Sequence, residues 1–149
     1  MFQEQYVKFI QEFGESKKMV LSTSLNDVVT SRMMSIILIN EKLYFQTDKN
    51  FRKYNQLKNN SNVSLCADNI QILGKCLEVG KPVENTDFCA AYKNFFPSSY
   101  SNYSLLEDER LFAVTMTSIE RWLYIDRIPW MEVFDIENEK YELKKYFAI

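Results

Sequence analysis

The chain has 149 residues, 46% hydrophobic and 15% aromatic, enough apolar side chain for one sizeable core and a single domain over residues 1–149. Its 18 basic and 20 acidic residues leave a net charge of −2, without the basic excess that draws proteins to nucleic acid phosphates. The lack of histidine excludes histidine triads, general bases and metal sites, and three scattered glycines exclude a Gly-x-Gly-x-x-Gly nucleotide loop.

The first predicted element is an amphipathic helix, since Phe2, Tyr6, Phe9, Ile10 and Phe13 recur at helical spacing and Gly14 can end it in a left-handed conformation. Two β-rich runs follow, at 18–24 and 28–39, joined by the turn formers Asn26 and Asp27 as a hairpin. Asn40-Glu41 turns the chain into a third antiparallel strand at 42–47. Asp48 or Asn50 then caps a short helix presenting Phe51, Tyr54 and Leu57 on one face. Strands are expected at 63–67 and 70–79, linked tightly at Asp68-Asn69. A helix capped by Thr86 runs to Phe96 and closes at Pro97, and the Ser/Tyr/Asn-rich stretch 98–104 reads as a loop. Strands return at 111–117, 121–126 and 131–136, ahead of a charged tail.

No regular crossover helices separate these strands, so the expected fold is mainly β: an antiparallel split β-barrel of six or seven strands with two to four short peripheral helices. Cys66, Cys76 and Cys89 are odd in number and form no Cys-x-x-Cys pair, and are read as reduced thiols with no metal site. Charges interrupt the apolar positions of the first ten residues and no run of eighteen apolar residues occurs, so neither a signal peptide nor a membrane span is expected and the location is taken as cytoplasmic.

Chemistry concentrates in two stretches. Arg32 lies inside the otherwise apolar Met33-Met34 strand, where it either pairs with a carboxylate at a strand edge or reaches an anionic ligand. Arg52 and Lys53 occupy the first turn of a helix, where the dipole disfavours cations. They form either a solvated basic turn or, with Thr47 and backbone N–H groups, a phosphate cradle. Glu107, Asp108 and Glu109 read as a solvated acidic turn. Arg121-Trp122 and Arg127-Ile128-Pro129-Trp130 offer cation and aromatic surface that can stack on a ring or pack an edge.

In order and spacing, Arg32-Met33-Met34-Ser35, Phe45-Gln46-Thr47, Arg52-Lys53 with Gln56-Leu57, Asn62-Val63-Ser64-Leu65 and Gly80-Lys81 resemble the pyridoxamine 5′-phosphate oxidase-like, FMN-binding split-barrel family. The resemblance implies that Arg52 and Lys53 hold the FMN phosphate with help from Arg32 and Thr47. It places main-chain groups around Met33, Met34, Ser35 and Gln46 against the isoalloxazine ring, with Gln56 in the same helix motif. It further implies a homodimer with flavin at the subunit interface, where Lys75 or Trp122 of the second subunit could contribute. The implied activity is that of an FMN-dependent oxidoreductase on an unknown small-molecule substrate, with no protein catalytic residue assigned. The alternative is a non-catalytic flavin- or haem-binding module. The family's true pyridoxamine phosphate oxidases carry a C-terminal Arg-x-His substrate motif that this sequence lacks, so pyridoxine phosphate is not an expected substrate.

Overall fold

The computed structural model describes residues 1–146. Helix α1 (Phe2–Phe13) leads into the hairpin β1 (Ser16–Leu25) and β2 (Val28–Ile39), then β3 (Lys42–Asp48), helix α2 (Arg52–Asn59), and the strands β4 (Asn62–Ala67) and β5 (Ile70–Glu78). Helix α3 (Thr86–Phe95) follows, then the short helical turns Pro97–Ser99 and Tyr100–Ser104, and finally β6 (Glu109–Ile125), β7 (Ile128–Asp135) and β8 (Lys140–Lys145). Every strand pair is antiparallel, in the order β3-β2-β1-β4-β5-β6-β7-β8, and β3 also pairs with β6. Six strands thus close the expected barrel, and β7 and β8 extend it as a hairpin.

The hairpin turns carry their φ > 0 residues where the sequence supplies Asn or Asp, at Asn26-Asp27, Asn40-Glu41 and Asp126-Arg127. Alternation fills the barrel: Met19 and Leu21 from β1, Ile36 from β2, Leu43 and Phe45 from β3, and Phe112, Val114 and Met116 from β6 form its interior. Phe45 stacks on Phe112 with centroids 5.5 Å apart. The aromatic face of α1 covers one side, where Phe2, Tyr6 and Phe9 surround Phe134 of β7. A second cluster lies outside the barrel wall, where Ile37 and Leu111 are buried under Phe88 and Tyr92 of α3. Ile36 and Ile37 are therefore both fully buried, on opposite faces of one strand.

Several local expectations change. The strands expected at 111–117 and 121–126 are one continuous β6, because the register against β5 shifts between Leu73 and Gly74 and leaves Thr117 unpaired in a bulge. The inward set moves there from Met116 to Ile119, so the period of two breaks while the strand continues. The charged tail forms β8, held by pairing with β7. Helix α3 is capped by Asn85, whose side chain accepts from the Phe88 N–H at 2.9 Å, so the cap is one residue earlier than Thr86. The stretch 98–104 is helical instead of an open loop, as Pro97 starts a new turn at its favoured first position. Neither Asp48 nor Asn50 caps α2; the cap position is Phe51, while the Asp48 carboxylate accepts from the backbone N–H of Asn50 at 2.7 Å.

Candidate functional site

Residues of β2 and β3 that point away from the barrel meet the helical insert 86–104 across an open cleft of about 360 Å3, inside the usual size range of small-molecule sites. Its wall and floor include Met33, Met34 and Ser35 of β2, Gln46 and Thr47 of β3, Lys53 of α2 and Glu109 of β6. The insert contributes Tyr92, Ser99 and Tyr103. Exposed Met33, Phe51, Tyr103 and Leu106 give the rim an apolar character.

At one end of the cleft α2 plugs the barrel, burying Leu57 and seating Tyr54 edge-on against Phe112. Buried Gln56 fixes it there: its Oε1 accepts from the hydroxyls of Thr23 at 2.6 Å and Thr30 at 2.9 Å. The same hydroxyls accept from Arg32, whose Nη1 reaches Thr23 at 2.8 Å and whose Nη2 reaches Thr30 at 2.5 Å. Arg32 thus lies beneath the first turn of α2 among neutral acceptors, without a carboxylate partner among the described residues. Burial, and then the charge of Arg52, lower its pKa. Lys53 is lowered in turn by burial and by Arg32, with Glu109 and Asp48 pulling the other way. Its Nζ stands 4.8 Å from the centroid of the Phe51 ring. Three cations therefore converge on one helix N-terminus, and among the described residues none of them forms an ion pair.

The opposite charge comes from an unexpected place. Glu109 belongs to the acidic turn expected to be solvated, yet it is 5% exposed and lines the cleft. It begins β6 directly opposite Asp48. Burial, and then Asp48, push its carboxyl up to about 7, against the pull of Lys53 and a hydrogen bond with Gln46. That hydrogen bond has a defined sense, because Gln46 Oε1 already accepts from the Ser104 hydroxyl at 2.7 Å and so turns its amide nitrogen toward Glu109. Glu107 and Asp108 do remain on the surface, paired with Lys81 and Lys49.

Of the residues singled out from the sequence, Met33, Met34, Ser35, Gln46, Thr47 and Lys53 line this cleft, and Arg32 and Arg52 adjoin it through their mutual repulsion and that of Arg32 with Lys53. Gln56 is buried beneath the site as the anchor of α2. Lys75 and Trp122 are not in the cleft of their own chain: Lys75 stands on the outer face of β5, and Trp122 packs against Tyr124 and Tyr146 at the far end of β6. Sequence reasoning missed Glu109 and Tyr92, while Ser99 and Tyr103 of the stretch 98–104, which could line a substrate mouth or be a plain polar loop, do line the cleft. Glu109 shares the outward face of β6 with Leu111, two residues on, a signal lost when the strand is started two residues late.

No known protein-family model matches the chain, and no curated protein matches it. Solved structures do. General stress protein 26 of Bacillus anthracis is 20% identical with a TM-score of 0.59, over 80% of this chain and 92% of that one. A pyridoxamine 5′-phosphate oxidase-related, FMN binding protein of Nostoc punctiforme is 10% identical with a TM-score of 0.60, over 88% and 87%. The heme storage protein HutZ of Vibrio cholerae is 17% identical with a TM-score of 0.59, over 77% and 89%. The chain has the fold of the pyridoxamine 5′-phosphate oxidase-like split barrels.

Proposed function

We propose that this chain binds FMN in the cleft between β2, β3 and the helical insert, and works as a homodimeric FMN-dependent oxidoreductase on a small molecule. The observation that carries the reading is the convergence of Arg32, Arg52 and Lys53 on the first turn of α2 without ion-pair partners among the described residues. Cations at a helix N-terminus oppose the dipole, and a phosphate of nearly two negative charges relieves that conflict. Backbone N–H groups of α2, the Lys53 ammonium, an Arg52 fork and the Thr47 hydroxyl have the donor chemistry for it. The Met33 to Ser35 and Gln46 segments, with the apolar rim, suit a planar ring. When bound, flavin supplies the redox chemistry, and the protein's part is to bind, orient and shield it.

A second copy of the chain fits the outer face of β5, where Leu73 is 44% and Leu77 69% exposed on either side of Lys75. Haem binding is the second reading, suggested by the fold shared with a heme storage protein. It meets a chemical obstacle, because the sequence offers no imidazole as an iron ligand.

The test is titration of the purified protein with FMN and with riboflavin, followed by assay with NADH or NADPH and added electron acceptors. Flavin absorbance with multiple turnover supports the oxidoreductase. Tight FMN binding without turnover leaves a flavin-binding module, and a protein that takes up no FMN overturns the reading.

A further inference from the structure

The phosphate reading gives Lys53 an anionic ligand but leaves a buried carboxylate beside it without a role. Glu109 sits on the cleft wall, 5% exposed, at the first residue of β6. Its surroundings can be enumerated. From β3 it meets its cross-strand neighbour Asp48 and the amide of Gln46; from α2, the Lys53 ammonium; from α3, the buried Tyr92 phenol, whose ionisation Glu109 opposes. On its own strand Arg110 is committed to backbone, donating to the carbonyl of Glu109 at 2.8 Å and to that of Glu107 at 2.7 Å. Lys53 is therefore the cation that favours an ionised Glu109, while Asp48 and burial oppose it. Lys53 is also the cation that the proposed phosphate needs.

One ammonium cannot serve both anions equally when the carboxylate beside it is only 5% exposed. We propose that Glu109 couples occupancy of the cleft to the uptake of a proton: a phosphate-bearing ligand takes over Lys53, and Glu109 binds a proton from solvent as the ligand seats. This rests on the phosphate assignment above. The balance is simple, since one proton passes from buffer to the Glu109 carboxylate, no covalent bond to the ligand forms, and release of the ligand returns the proton. The specificity consequence is that ligands combining an anionic head with a hydrogen-bond acceptor near Glu109 gain a donor only in the bound state, when the carboxyl is neutral. Riboflavin, which shares the ring of FMN but has no phosphate, leaves the pull of the Lys53 charge on Glu109 undisturbed.

The sign follows from linkage. Glu109 titrates near 7 in the free protein, and a neighbouring phosphate dianion raises it further. Below that range the proton is already present and binding costs nothing extra. Above it, FMN affinity falls by up to about tenfold for each pH unit until the bound-state value is passed. The FMN phosphate itself gains charge near pH 6, so the decline is read above pH 7, where that ionisation is complete.

Calorimetric titration of the full chain with FMN at pH 8, in two buffers of different ionisation enthalpy, measures the proton directly. Wild type should take up close to one proton per FMN and none with riboflavin. Glu109→Gln should take up none and keep its FMN affinity flat above pH 7. Should Glu109→Gln fail to fold, Asp48→Asn serves, because removing that charge moves the onset of uptake to lower pH. Equal pH dependence in wild type and Glu109→Gln, or an onset unmoved in Asp48→Asn, overturns the proposal while FMN still outbinds riboflavin. Loss of the preference for FMN over riboflavin overturns the phosphate assignment, and this inference with it.

Discussion

At the scale of single residues, Lys53 and Glu109 are the two most informative groups of the site. Charged hydrogen bonds contribute about 1.5 to 3 kcal/mol each, so two of them to a phosphate imply a preference for FMN over riboflavin on the order of a hundredfold or more. Replacing Lys53 by Ala should weaken FMN binding and leave riboflavin almost untouched, as calorimetry with both ligands can measure. Equal loss of both would leave the basic turn as a solvated face. Arg32 differs in kind, because its Nη atoms already bond Thr23 and Thr30. Arg32→Ala should therefore lower stability as well as FMN affinity. Glu109 carries a separate stability signature. Its carboxyl is raised in the folded state to about 7, so the native chain holds a proton that the unfolded chain has released. Folding stability contributed by this residue is thus intact below the unfolded value near 4.3 and is lost as pH rises toward 7. Glu109→Gln should be more stable than wild type at pH 8, by about 4 kcal/mol at most, while matching it near pH 4; urea denaturation at the two pH values checks this.

The elements place these residues through a few specific devices. The close crossing of β5 and β6 at the Thr117 bulge depends on Gly74, where an added Cβ would lie 2.6 Å from Val114 Cγ1 and 2.7 Å from the Thr115 carbonyl oxygen. Backbone cannot retreat as a flexible side chain can. Gly74→Ala should cost about 1 to 3 kcal/mol in denaturation experiments without altering flavin specificity. Helix α1 and the β7–β8 hairpin are tied together by Arg121, which donates to Glu132 at 2.8 Å and to Glu12 at 2.7 Å, while the Tyr141 hydroxyl donates to Glu132 at 2.6 Å. Glu132 is 4% exposed, so removing Arg121 strands a buried carboxylate. Arg121→Leu should destabilise by about 3 to 5 kcal/mol, and Arg121→Leu combined with Glu132→Leu should recover much of that loss. The double variant separates the penalty for an unpaired charge from the net worth of the pair.

For the whole molecule, the barrel presents two exposed leucines on the outer wall of β5, and the proposed dimer would cover them. Sedimentation of the FMN-saturated protein at micromolar concentration should give twice the chain mass of 17.7 kDa, and Leu77→Asp should shift it toward monomer. A wild-type monomer under those conditions removes the homodimer. Pyridoxine phosphate should not be turned over, given the missing Arg-x-His motif; sustained pyridoxal phosphate formation by FMN-loaded protein would contradict that.

The sequence alone determined most of the strands and the local pairings β1–β2, β2–β3 and β4–β5, because a period of two in apolar residues and Asn/Asp turn pairs are local properties written into each segment. It also determined that cations stand at the start of α2, since a helix N-terminus is read from adjacent residues. What only the tertiary structure decided depends on contacts between distant segments. Ile37 and Ile36 are indistinguishable as sequence, and only the docking of α3 buries the second face of that strand. The continuity of β6 through Thr117 was hidden because a bulge shifts the alternation without ending the pairing, and pairing with β5 is what holds it. Residues 140–145 carry too much charge to announce a strand and become one through hydrogen bonds to β7. Glu109 is the sharpest case. Within Glu107-Asp108-Glu109 nothing local separates the three carboxylates, and it is the closure of β6 against β3 beneath the helical insert that takes the third out of water and sets it beside Lys53.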